Sequence, residues 1–93
     1  MNYLITYDIV NNKNRTKLSD ILEKYGYRVN YCVFECELNK TKLNNLIDTI
    51  KEQKLYNKTQ DSIRFYHLCQ NCVNKSFELT NKAGIFEEVE LFL

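Results

Sequence analysis

Residues 27–38 read YRVNYCVFECEL, and the phase of this stretch decides the fold. Val29, Tyr31 and Val33 alternate with polar or small residues, as a strand with one buried face does. Beyond Val33 the apolar set shifts to Phe34, Cys36 and Leu38, with Glu35 and Glu37 between them. A strand repeats every two residues, so a slip of one sends every side chain to the other face. The flip therefore predicts a bulge, a kink or a change of strand near Val33: two short strands, or one strongly bent strand.

Upstream, residues 2–9 read NYLITYDI. Tyr3, Ile5, Tyr7 and Ile9 share one face, Leu4 and Thr6 line the other, and Asp8 stands at the end. Two largely apolar faces predict a central strand. Asn11, Asn12 and Asn14 mark a loop and a helix start. Leu18, Ile21, Leu22 and Tyr25 follow at the spacing of one helical stripe, and Gly26 is expected to end that helix at positive φ. Downstream, Asn39 or Thr41 is expected to cap a second helix carrying Leu43, Leu46, Ile47 and Ile50. A polar loop over 52–61 leads to SIRFYHLC, residues 62–69, which is rich in aromatic and branched side chains and reads as a strand. Phe77 with Leu79, and Val89, Leu91 and Leu93 after Gly84, read as short further strands. Helices alternating with strands in this order predict an α+β, ferredoxin-like split βαβ: an antiparallel sheet with both helices on one face, plus C-terminal strands. The first strand is apolar on both sides, so the uncovered face is expected to be buried in a two-fold homodimer, the C-terminal strand crossing to the partner.

Ninety-three residues leave room for one domain, read as a core over 1–69 and a C-terminal extension over 70–93 for dimer or partner contacts. A hydrophobic share of 44% excludes a disordered chain. No apolar run reaches the roughly 18–20 residues of a membrane span, and no basic stretch followed by an apolar core opens the chain as a secretory signal would. Four Cys in such a chain are expected as reduced thiols, which points to the cytoplasm. A net charge of +1 argues against a simple basic nucleic-acid binder. The distribution is less even. Residues 1–64 hold eleven Lys/Arg against eight Asp/Glu, a balance of +3, and residues 65–93 hold two against four, a balance of −2.

Asp8 is the first candidate for chemistry, because it stands where an apolar strand meets a basic loop; it reads either as a perturbed carboxylate or as the cap of that loop. One carboxylate is a poor Mg²⁺ site, whereas a symmetric dimer brings two and would allow phosphodiester hydrolysis by a metal-bound water. Lys13, Arg15, Lys17 and Arg28 read as phosphate contacts or as a solvated helix face. Arg64 reaches only the sheet surface, as a candidate cross-strand pair. Tyr7, Tyr31, Phe34, Phe65 and Tyr66 read as core or as a base-stacking surface. Cys32, Cys36, Cys69 and Cys72 invite a zinc reading, with buried reduced thiols as the default. A redox CxxC usually opens a helix, and residues 73–80 read as strand instead. His67 reads as a strand residue, and a single His excludes two-histidine chemistry.

Tyr7-Asp8-Ile9, Arg15 with Lys17-Leu18, the block Gly26-Tyr27-Arg28-Val29-Asn30-Tyr31-Cys32-Val33-Phe34-Glu35-Cys36, and Asp61-Ser62-Ile63-Arg64-Phe65-Tyr66 together resemble the small nuclease of CRISPR adaptation, the Cas "two" family. The resemblance covers essentially the whole chain and is weakest after Cys72. It implies a ferredoxin-like homodimer with Mg²⁺ (or Mn²⁺) between the two Asp8 carboxylates. It implies metal-dependent endonuclease activity on single-stranded RNA or double-stranded DNA. It further implies a largely architectural part in spacer acquisition, holding the protospacer duplex and bridging two dimers of the CRISPR integrase. Carried over residue by residue, Asp8 is the metal ligand, and Tyr7, Arg15, Arg28 and Phe34 match positions tied to nuclease activity. Lys17 stands where some members have Arg, Cys32 where Ser is common, and Cys69 and Cys72 lie outside the nuclease pattern. The acidic and hydrophobic tail from Ile85 to Leu93 is the candidate integrase contact. A toxin-type ribonuclease, an RNA-binding ferredoxin-like module and a four-cysteine zinc module are the alternatives from other classes.

Overall fold

The computed structural model describes residues 1–80 and 82–85. Its elements run β1 (Asn2–Asp8), α1 (Asn12–Glu23), β2 (Gly26–Asn30), β3 (Val33–Glu37), α2 (Lys40–Glu52), β4 (Ser62–Leu68) and α3 (Gln70–Lys75). The four strands form one sheet in the order β2-β3-β1-β4, with every neighbouring pair antiparallel. This is the ferredoxin-like arrangement that the alternation of strands and helices predicts. The phase flip at Val33 is a hairpin. Tyr31 and Cys32 turn the chain, Asn30 faces Val33 across the pair, and the register shifts between Arg28 and Asn30.

Local chemistry explains the helix starts. The Asn11 side chain accepts from the Asn14 N–H at 2.9 Å, and that of Asn39 from the Lys42 N–H at 2.8 Å. Caps of this kind stabilise a helix by about 1 kcal/mol each. Leu18 and Leu22 of α1 and Leu46 and Ile50 of α2 then bury against Ile5, Tyr7, Phe34 and Cys36 on one face of the sheet. The opposite face carries Leu4, Thr6, Tyr27, Arg64 and Tyr66 on its strands. Glu35 is buried on that face and accepts from the Ile85 N–H at 3.3 Å. Burial pushes its carboxyl pKa up, and this hydrogen bond pulls it partly back.

Two expectations are corrected. Gly26 is not a helix cap at positive φ: α1 ends with Lys24 in a right-handed cap, and Gly26 opens β2. A Cβ on Gly26 would sit 2.6 Å from the Cys36 Sγ and 2.8 Å from its Cα, so the position needs glycine for close strand approach. The left-handed cap occurs instead after α2, at Lys54 (φ 52°), with Leu55 N–H donating back to the Ile50 carbonyl at 3.4 Å and its side chain fully buried. Residues 73–80 are not a strand. Cys69 precedes α3 in an extended conformation, Val73 is buried within the helix, and the Glu78 carboxylate accepts from Thr80 and from the Lys82 N–H in a turn. The strand expected at Val89, Leu91 and Leu93 lies outside the described residues.

Candidate functional site

Side chains alternate across β1, so Tyr7 and Asp8 point to opposite faces. Asp8 ends the strand opposite Ser62 of β4 and is exposed. The capping work of the following loop is done by others. The Val10 N–H donates to Asp61 Oδ1 at 2.9 Å, the Asn57 N–H donates to Asp61 Oδ2 at 2.8 Å, and Asn11 caps α1. The Asp8 carboxylate has no hydrogen-bond or ion-pair partner among the described residues.

Tyr7 faces the helices. It lines, with Arg15, Ser19, Arg28 and Tyr31, an open cavity of about 500 Å³ between α1 and the start of the β2–β3 hairpin. Phe34 lies beneath this cavity, fully buried. Its ring stacks on that of Tyr7 with centroids 6.3 Å apart, and the Arg28 guanidinium sits over it, 5.5 Å from the centroid. The Arg28 guanidinium also donates to the Ser19 Oγ and lies 3.8 Å from a Glu23 carboxylate oxygen. That ion pair is largely solvated and contributes about 0–1 kcal/mol. Burial pushes the Tyr7 phenol pKa up, and its hydrogen bond with Ser19 pulls it partly back. Tyr7, Arg15, Arg28 and Phe34 thus gather at one place, and Asp8 stands on the other side of the strand. Asp20 and Glu23 line the same cavity, balancing its two arginines.

Arg15 is occupied. Its guanidinium donates to the Ile9 carbonyl at 3.2 Å, the Val10 carbonyl at 3.3 Å and Asn12 Oδ1 at 2.8 Å, so it clamps the β1–α1 loop. Lys13 and Lys17 are exposed on α1. Arg64 pairs within its own strand, donating to the Tyr66 hydroxyl at 3.4 Å, rather than across strands. His67 packs against Tyr3 across β1 and β4 with the rings tilted by 35° and centroids 5.1 Å apart, as a sheet residue. Ser19 is the residue sequence reasoning missed. Its only signal is a hydroxyl beside Leu18 on the apolar stripe of α1, where it is buried between Tyr7 and Arg28.

For a divalent ion, the donor set of one chain is incomplete. Among the described residues no three His, Cys, Asp or Glu side chains gather. Asp61, the nearest acid in sequence to the strand end opposite Asp8, has both oxygens engaged by backbone N–H groups. Mg²⁺ commonly takes one or two carboxylates with waters and phosphates, and two copies of Asp8 would supply a pair. The described residues contain no helix long and apolar enough to cross a membrane.

Comparison with known proteins agrees with this fold. The family model for CRISPR associated protein Cas2 matches residues 1–76. A Synechocystis protein named CRISPR-associated endoribonuclease Cas2 3 is 48% identical over 66 residues, covering 71% of this chain and 70% of its own. The crystal structure of Streptococcus pyogenes Cas2 superposes with a TM-score of 0.70 at 28% identity, covering 85% of this chain and 99% of that one. A chain of a partial Cas6-RT-Cas1–Cas2 complex superposes with a TM-score of 0.62 at 36% identity, covering 85% and 90%. The split βαβ sheet, the hairpin block and these matches carry one conclusion: the chain belongs to the Cas2 family of CRISPR-associated proteins.

Proposed function

We propose that two copies of this chain pair as a homodimer that serves spacer acquisition, holding a DNA duplex and bridging integrase dimers. In the same reading the dimer is a metal-dependent endonuclease on single-stranded RNA or double-stranded DNA. The observation that carries the nuclease reading is Asp8: an exposed carboxylate at the end of the central strand, relieved of loop capping by Asp61 and Asn11. Asp8 from each copy would hold Mg²⁺ or Mn²⁺, which supplies Lewis-acid polarisation of a phosphodiester and activation of water. Arg28, fixed by Ser19 and Phe34, and the exposed Lys13 and Lys17 of α1 supply cations for the phosphate backbone. Phe34 and Arg15 support these groups from beneath, since one is buried and the other is spent on loop carbonyls. The existence of a relative in a complex with Cas1 supports the integrase partnership.

A second reading, a scaffold without significant cleavage, is favoured by the balanced charge of the arginine cavity. One pair of experiments separates the two. Cleavage of labelled RNA and duplex DNA is measured with Mg²⁺ and with chelator, for wild type and Asp8→Asn. The nuclease reading expects a loss of roughly 100-fold or more in the variant and in chelator, as fits several kcal/mol of metal assistance. Full metal-dependent cleavage by Asp8→Asn removes Asp8 from the reaction. Co-purification with the integrase, followed by a spacer-integration assay, tests the architectural role. That role is expected to survive Asp8→Asn, and failure of the wild-type protein to bind the integrase sinks it.

A further inference from the structure

The four cysteines differ in exposure: Cys32 in the β2–β3 turn is half-buried, and the other three fall into two chemical kinds. Cys36 is fully buried in the sheet core, and burial pushes its thiol up to about 11, so it is an inert packing group at neutral pH. Cys69 and Cys72 are both exposed, and their sulfurs lie 3.1 Å apart. Cys69 holds an extended backbone at the end of β4, and Cys72 sits in the first turn of α3, so the chain folds one thiol back onto the other. A disulfide needs the sulfurs only about 1 Å closer, within reach of side-chain rotation.

We propose that Cys69 and Cys72 are a redox-active dithiol that closes to a reversible disulfide by exchange with a low-molecular-weight disulfide such as oxidised glutathione. The Cys69 thiol gives up its proton to solvent and its thiolate attacks one sulfur of the small disulfide. The other sulfur departs as a thiolate and is protonated. Cys72, deprotonated in turn, attacks the Cys69 sulfur of the mixed disulfide and expels the second small thiol. Two protein thiols are oxidised and one small disulfide is reduced to two thiols. The roles follow from local hydrogen bonding. The Cys72 thiol, and then the backbone N–H groups of Cys72 and Asn71, draw the Cys69 thiol below its ordinary pKa, whereas the same pairing raises Cys72. Cys69 is therefore the attacking group and Cys72 the resolving one.

The bond would tie the end of β4 to the first turn of α3, beside the start of β1, where Asn2 donates to Gln70 at 3.4 Å. Asp8 lies at the other end of that seven-residue strand, roughly 20 Å away. The dithiol is thus separable from any chemistry at Asp8, and its test needs no nuclease assay.

The test is exchange followed by thiol mapping. Reduced full-length protein is incubated without oxygen in excess oxidised glutathione, quenched with N-ethylmaleimide, unfolded, alkylated with a second reagent and digested for mass spectrometry. Cys69 and Cys72 are expected to lose alkylation together at a mass lower by two hydrogens, at least about tenfold faster than Cys36 reacts, and to recover with dithiothreitol. Cys72→Ser is expected to stop at a stable glutathione adduct on Cys69, with far-UV circular dichroism confirming the fold. The proposal is overturned if wild-type Cys69 and Cys72 stay free, or if oxidation falls on Cys32 or Cys36 instead. A persistent wild-type adduct without the internal bond overturns it, as does stoichiometric zinc that shields both thiols.

Discussion

Tyr7 and Asp8 are neighbours in one strand and stand in opposite circumstances. Tyr7 faces the helices, where Ser19, Arg28 and Phe34 hold one another through a hydrogen bond, a cation over an aromatic ring and stacked rings. Asp8 faces the other way, exposed, with its potential structural duties taken by Asp61 and Asn11. The contrast separates two ways in which a residue becomes indispensable. On the helix side Tyr7, Ser19, Arg28 and Phe34 lean on one another, so substitutions there act first on the fold. At the strand end the carboxylate is unspent, so its removal acts on whatever it binds.

The harshest way to break the helix side is Phe34→Ala. Phe34 is fully buried and supports both Tyr7 and Arg28. Truncation of a core Phe costs about 3–5 kcal/mol, against a total stability of about 5–15 kcal/mol for a small domain. Urea denaturation is expected to record that loss. A change below about 1 kcal/mol would mean that the aromatic floor carries no weight.

Ser19→Ala is the next step down. It removes the acceptor of Arg28 and a partner of Tyr7 at a buried position, at a cost of about 1–3 kcal/mol. The Ser19 hydrogen bond draws the Tyr7 pKa down against burial, so the variant is expected to raise it further. Ultraviolet titration of the tyrosines between neutral and alkaline pH reads that shift. An unchanged curve would show that Ser19 does not touch the phenol's ionisation.

Cys36 offers a subtler test on the same face. Its thiol is raised from an ordinary 9.0 to about 11 in the fold, by burial first and then by the neighbouring Glu35 charge. Below pH 9 the thiol is protonated both folded and unfolded, and stability is unaffected. Between about 9 and 11 the unfolded chain releases this proton while the folded one retains it, so stability is lost as pH rises through that window. Cys36→Ala is expected to start from a lower stability, for want of its packing, and then to fall less steeply over the same window. Equal slopes in denaturation series at rising pH would remove Cys36 from the alkaline transition.

Much of this contrast was legible in the sequence, and the residues that escaped did so for physical reasons. The flip at Val33 located the hairpin because a period-two pattern cannot change phase without a turn or a bulge. Asn11 and Asn39 announced the helix starts through their side-chain chemistry. Helix ends were less visible. Gly26, which invited a cap, serves strand approach, while the left-handed cap falls on Lys54, a residue type that rarely signals one. Leu55 lay in a stretch read as polar loop, yet that same cap swings it fully into the core. Phe77 and Leu79 gave only two alternating positions, too few to outweigh the buried Val73, and the helix there turned the CxxC into a juxtaposed pair. At the site, residue type pointed to Tyr7, Asp8, Arg15, Arg28 and Phe34. Only three-dimensional geometry distinguishes the clamping Arg15 and the buried Phe34 from the exposed Asp8, because which groups are already satisfied is a property of the packing.

The smallest expected effect on stability is the sharpest test of the comparison. Asp8→Asn keeps the size and shape of the side chain and removes its charge. Because Asp8 is exposed and no described group pairs with it, the folded chain should lose or gain no more than about 0.5 kcal/mol, a shift below roughly 4 °C in Tm. The measurement is a thermal melt of the variant beside wild type at neutral pH in chelator, where no bound ion contributes. A drop of many degrees would reveal a structural duty for Asp8 and erase its difference from Tyr7. A matching melt, repeated with Mg²⁺, carries the argument further: an ion held between two Asp8 carboxylates stabilises whatever state binds it, so Mg²⁺ should raise the Tm of wild type and leave that of Asp8→Asn unmoved.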